Sequence, residues 1–423
     1  MTRPLAFAVL TATLIAACGA RSTLEANGDA TDASAGGATG GANAQGGNAA
    51  TGGEGQGGEE VPFVCPALEW AGDPVFIDLP FGNAIDNPRL VRNGDGDVVL
   101  TFDAIANAIG HTLGSVPLGE AFAAWPPVVG TADVNFPTQG RFAVTAGQPP
   151  TFAFAASDGT GNLALGEALP GENGSTFVAF PSGAFDVQAV ARNAVDEHVV
   201  ITGSSLLVAE GFSSSAPGAT QTPLSVLGCA DFAHGAVVTR GPRFVAASAS
   251  DLPFDDCIDP DVPGPPRYVQ TYGFEATGDV EQGEAIDTGG VVRQLLLASN
   301  AEGTWLGHAT EGPILEVRRV AEDLTLAPDP FSIVTRSAST QFALAAAGPT
   351  FVTAAVDADE LILSIMVDVS PVQIAATEFA VAPTGTPSLI ASEDGRSLIV
   401  AVVDASTFVT VALLRADCLD TAR

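Results

Sequence analysis

The residues of this chain whose types and spacing could do chemistry are carboxylates in turns. Asp103, Asp158, the cluster Asp251, Asp255, Asp256, Asp259 and Asp261, then Glu311, Asp357 with Asp359, and Asp404 each follow an apolar run at a comparable place in a recurring pattern. If those turns share one face, the carboxylates form an acidic rim that concentrates a cation such as calcium, or a basic ligand. A pair of them roughly 5 to 10 Å apart would also suit hydrolysis or elimination on a glycan. Asp is a favoured turn residue in any case, so the same residues read equally as turn chemistry in an acidic chain. Asn93, Asp95 and Asp97 place three oxygen-bearing side chains at alternate positions, as calcium loops do. Ala104 stands at the twelfth position, where an EF-hand needs Glu, which leaves an Asx-rich hairpin turn. His111, His198, His234 and His308 are scattered over four segments, and no nucleophile elbow, phosphate loop or His-Glu-x-x-His occurs. The sequence therefore assigns no catalytic residue, resident cofactor or metal ligand.

The elements that must position these turns come as copies of one unit. Residues 293–320 hold three apolar runs separated by two tight turns, the pattern of successive hairpins. First strands of such units fall at 88–92, 141–145, 186–191, 232–238, 293–298, 342–346 and 387–390. Their starts recur at intervals of about 45 to 61 residues, and no long helical period intervenes. The expectation is an all-β chain folded as a seven-bladed β-propeller of four-stranded antiparallel blades, with a pair of β-sandwiches as the competing arrangement. Ser299 to Trp305 and Ser392 to Gly395 are similar to the Asp-box of sialidase-type propellers, the first without the Asp and the second without the Trp. No activity is carried over from that likeness, and Trp305 is expected to pack between blades. Asn93-Gly-Asp-Gly resembles, once only, the core of integrin-like calcium repeats.

Ring closure needs the last blade joined to the first. The third strand of the last unit ends close to residue 423, and a spare strand at 75–79 precedes the first unit. If that strand completes the last blade, Cys65 lies near Cys418, and a disulfide between them replaces the missing turn. Cys229 and Cys257 then flank one face of the fourth unit, so the expected pairs, among three pairings, are Cys65–Cys418 and Cys229–Cys257.

The first residues carry a different message. Arg3 precedes an apolar run over 5–17, too short to span a bilayer but as long as a signal-peptide core. Leu14-Ile15-Ala16-Ala17-Cys18-Gly19 resembles the lipobox of bacterial lipoproteins. The resemblance implies lipidation of Cys18 and a mature chain starting there; Gly19 in place of Asp implies the outer membrane or cell surface. Residues 18–60 are Gly-, Ala- and Asn-rich and lack the apolar side chains that offset ordering entropy. Such a linker has a reach of roughly 35 Å. The expected organisation is a signal peptide over 1–17, a lipid-anchored disordered linker over 18–60 and a propeller over 61–423. All 16 basic residues are Arg, against 49 acids, for a net charge of −33. That field repels phosphate backbones, so nucleic acid is excluded as a partner. A monomer is expected, attached to a membrane through its lipid alone and acting as a binding or scaffold module for an unknown protein, glycan or cationic ligand. A carbohydrate-active hydrolase or lyase using the rim, or a calcium-binding surface propeller, is the alternative.

Overall fold

The computed structural model describes residues 65–419 apart from 80–83, 94–95, 108–109, 148, 157–162, 168–176, 181–186, 196, 203–205, 210–220, 224–233, 251–264, 276–279, 368–369 and 378. Cys18, Cys229, Cys257, Asp95, Asp158, Asp251, Asp255, Asp256, Asp259 and Asp261 lie outside the described residues, as do the signal peptide and the linker. The structure is all-β. After β1 (Leu68–Trp70) and β2 (Val75–Asp78), seven strands form one antiparallel sheet. These are β3 (Ala84–Arg92), β4 (Val98–Asn107), β5 (Gly110–Pro117), β6 (Asp133–Thr145), β7 (Thr151–Ala156), β8 (Leu163–Glu167) and β9 (Phe177–Phe180). The next sheet is β10 (Val187–Arg192), β11 (His198–Thr202), β12 (Leu206–Ala209) and β13 (Gln221–Pro223). A third holds β14 (His234–Arg240), β15 (Arg243–Ser250), β16 (Tyr268–Phe274), and the short β17 (Glu281–Gln282) and β18 (Ile286–Asp287), both paired to β16. Two regular four-stranded sheets follow. One is β19 (Val292–Ser299), β20 (Thr304–Thr310), β21 (Ile314–Val320) and β22 (Phe331–Val334); the other is β23 (Gln341–Ala347), β24 (Thr350–Asp357), β25 (Glu360–Val367) and β26 (Ser370–Ala375). The last sheet is β27 (Pro383–Ala391), β28 (Ser397–Asp404) and β29 (Thr410–Cys418), with β1 and β2 both paired to β29.

The fold is a β-propeller. Its innermost strands β3, β6, β10, β14, β19, β23 and β27 lie each beside the next, and β27 lies beside β3, so the ring closes. The described strands form six sheets, where seven separate blades were expected. The difference arises in β6, whose residues from Asp133 pair with β5 while its residues up to Thr145 pair with β7. One continuous 13-residue strand thereby fuses the first two units into a single sheet.

Stacking blades face to face explains the sequence pattern. Second strands are covered on both faces, so β28 (Ser-Leu-Ile-Val-Ala-Val-Val-Asp) is buried from Leu398 to Asp404 and every residue of β11 is buried. Outer strands meet water, and β26 has no buried residue. Apolar clusters sit between blades: Leu90, Leu100, Phe102 and Val116 pack against Ile399, Ala401, Val411 and Leu413. Gly114 makes this layer possible, because a Cβ there would stand 2.4 Å from the Phe102 ring. Trp305, 2% exposed, packs with Phe342 and Phe351 of the following blade.

The ring is sealed where β2 pairs with β29, Val75 opposite Leu413 and Asp78 opposite Thr410. Asp78 also accepts a hydrogen bond from Thr410 Oγ1 at 2.7 Å. Leu68 of β1 stands opposite Cys418, and Cys65 and Cys418 form a disulfide.

Candidate site at the channel mouth

The inner strands do more than frame a hole. A cavity of about 310 Å3 opens among the first residues of most of them, lined by Asp86, Asn87 and Arg89 from β3, Phe142 from β6 and Gln188 from β10. His234 and Gly235 from β14, Arg293 and Gln294 from β19, Gln341 from β23 and Thr386 from β27 complete the wall. Several of the polar side chains arise where pairing to the second strand slips. Register shifts fall between Asp86 and Arg89, Val187 and Ala189, Val292 and Gln294, and Thr384 and Ser388. Gln188, Arg293 and Thr386 are thus bulge residues, and a bulge re-aims a side chain out of the sheet's alternation. In β3 the bulge is completed by Asn87 at φ +47°, a region Asn tolerates, with its amide donating to Asp86 Oδ1 at 2.8 Å.

Several wall residues are fixed by partners. Arg293 Nε donates to Thr310 O at 2.6 Å and its Nη2 to Gly312 O at 3.3 Å, which holds it against the turn that carries Glu311. Gln294 bridges blades: its Nε2 donates to Phe342 O at 2.6 Å and its Oε1 accepts from Phe342 N at 3.0 Å. Gln341 Oε1 accepts from Thr386 Oγ1 at 3.4 Å. Arg89 is held differently. Burial pushes its guanidinium below its ordinary pKa, opposed by the nearby Asp86 carboxylate. Two arginines and one carboxylate therefore line this mouth, in a chain whose net charge is −33.

The expected rim carboxylates sit at the same end of the blades as this cavity, since Asp103 is opposite Asp86 and Asp404 opposite Pro383 in the ladders. They are not gathered into one site. Asp357 is 2% exposed and accepts from Arg336 N at 2.7 Å, Ser337 N at 3.0 Å and Thr340 Oγ1 at 3.0 Å, tying down the turn into β23. Asp404 accepts from Ser406 N at 2.9 Å. Asp359 and Glu311 are exposed on turns. Asp103 is buried and pairs with His111. Among the described residues no group of three or more His, Cys, Asp and Glu is arranged to hold a metal ion. Asn93 N donates to Asp97 O at 2.7 Å and Gly96 N to Asn93 O at 2.9 Å, the bonds of a hairpin turn. The remaining histidines are dispersed: His198 Nε2 lies 3.3 Å from Thr151 Oγ1, and burial lowers the pKa of His308 beside Glu316. Tyr272 is 3% exposed, and burial raises its phenol pKa, so it presents no ready nucleophile.

No protein-family model matches the chain, and no curated protein sequence matches it. Among solved structures it is similar to a catalytically inactive virginiamycin B lyase from Staphylococcus aureus, crystallised with quinupristin. That match has a TM-score of 0.51 at 9% identity, over 82% of this chain and 99% of that one. A chain of the mitotic checkpoint complex matches with a TM-score of 0.50 at 11% identity, over 82% of this chain and 93% of that one. At these identities the likeness carries the propeller fold alone.

Proposed function

We propose that this protein is an exported, lipid-anchored propeller that binds a ligand at the mouth of its central channel. The observation that carries the reading is convergence. Polar side chains from six inner strands meet in one cavity, and Asn87, Gln188, Arg293 and Thr386 are presented by bulges. Its size falls at the lower edge of what small-molecule sites occupy, roughly 300 to 1,000 Å3. In this reading the seven-stranded sheet acts as two blades divided at the register shift between Thr138 and Phe142, giving a seven-bladed ring. The Cys65–Cys418 disulfide is in keeping with an oxidising, extracytoplasmic compartment, and the lipobox at Cys18 supplies the tether to an outer membrane or cell surface.

The test is a thermal-shift screen of the delipidated chain against glycans and small molecules, repeated on Thr386→Trp, which fills the mouth. Ligands lost in the variant support the site; ligands that bind both proteins equally refute it. Mass spectrometry of the mature N-terminus checks the anchor, which an unmodified Cys18 would exclude.

A further inference from the structure

Arg89 points to what the mouth takes. Among the described residues its guanidinium has no hydrogen-bond or ion-pair partner; its one electrostatic neighbour is Asp86, beyond contact distance. Other half-buried arginines are engaged: Arg92 by Glu393 and Ala391 O, Arg243 by Glu281, Arg318 by Ala327 O and Pro328 O, Arg415 by Asp417. A half-buried cation without a partner costs stability, and an arriving anion offsets that cost. A guanidinium presents parallel N–H groups matched to the two oxygens of a carboxylate. Asp86 and the net charge of −33 oppose a doubly charged phosphate more than a singly charged carboxylate. The same Asp86, with His234 and Gln341, lines the wall as hydroxyl partners.

Resting on the channel-mouth reading above, we infer that the cavity binds a small hydroxylated carboxylate, its carboxylate on Arg89 and its hydroxyls on Asp86, His234 and Gln341. The acidic chain thus carries an anion site at its centre, the reverse of the cation-binding rim its turns suggest.

Calorimetric titration of the full chain with glucuronate, glucose and inorganic phosphate tests this. Glucuronate should bind saturably, with glucose and phosphate each at least tenfold weaker. Arg89→Gln should reduce glucuronate affinity tenfold or more while leaving Tm unchanged or raised, and Arg89→Lys should retain part of the affinity. Glucuronate affinity unchanged within twofold in Arg89→Gln, equal binding of glucose, preferred binding of phosphate, or no heat with glucuronate would each overturn the inference. Any ligand that is lost in Thr386→Trp yet indifferent to Arg89→Gln would leave the mouth as the site and remove only the carboxylate.

Discussion

Asp103 Oδ2 lies 2.7 Å from His111 Nδ1, two adjacent strands holding a buried carboxylate against a half-buried imidazole. Burial raises the Asp103 carboxyl from 3.8 to about 6, and the hydrogen bond and charge of His111 only partly counter it. The second carboxylate oxygen, Oδ1, is buried without a partner among the described residues.

Stability should therefore fall as pH rises through this pair. The folded state holds the Asp103 proton up to about pH 6 while the unfolded chain releases it near 3.8. The contribution is fully present below the unfolded value and lost as pH rises through the folded one. Urea unfolding at pH 4 and pH 7.5 should show Asp103→Asn gaining roughly 2 kcal/mol on the native chain between the two. Parallel curves for both proteins would show that Asp103 does not titrate in this window.

The Cys65–Cys418 bond closes a loop of sequence separation 353. Replacing both residues, Cys65→Ser with Cys418→Ser, should lower stability by about 2 to 5 kcal/mol. Reductant should then lower the Tm of the native chain and leave that of the double variant unmoved.

Gln294 is the clasp between β19 and β23. Gln294→Ala leaves Phe342 N and Phe342 O without their side-chain partners, a loss of about 2 to 4 kcal/mol. Gln294→Glu keeps an acceptor for Phe342 N but sets a carboxylate against Phe342 O, so it should not restore stability. Denaturant midpoints of the two variants decide this.

Gly395 turns the β27–β28 hairpin at φ +72°, and a Cβ there would stand 2.6 Å from the Ala347 carbonyl carbon of the neighbouring blade. Gly395→Ala should cost more than the roughly 1 kcal/mol of left-handed strain alone, because backbone must move. Thermal melts of that variant beside Gly385→Ala, φ +73° with open space around it, separate strain from collision.

The repeat was legible because inner and second strands are covered by their neighbours. The expected first strands at 293–298 and 342–346 fall inside Val292–Ser299 and Gln341–Ala347. The spare strand at 75–79 and its partner cysteine were legible from the same closure argument. Outer strands such as Ser370–Ala375 were not, since a solvent-facing strand carries no apolar signature. Nor was the continuity of β6, which depends on pairing rather than on residue type. The mouth was missed for a related reason. Attention to turns finds Asp357 and Asp404, whose carboxylates serve nearby amides. Arg89 and Arg293 look like ordinary strand residues, and only the register slips beside them turn them inward.

The seam between β2 and β29 also orders events in time. Val75–Asp78 leaves the ribosome early, yet Asp78 meets Thr410 only 332 residues later. Until then β2 has no strand to pair with, so the seam that closes the ring cannot form before β29 has been made.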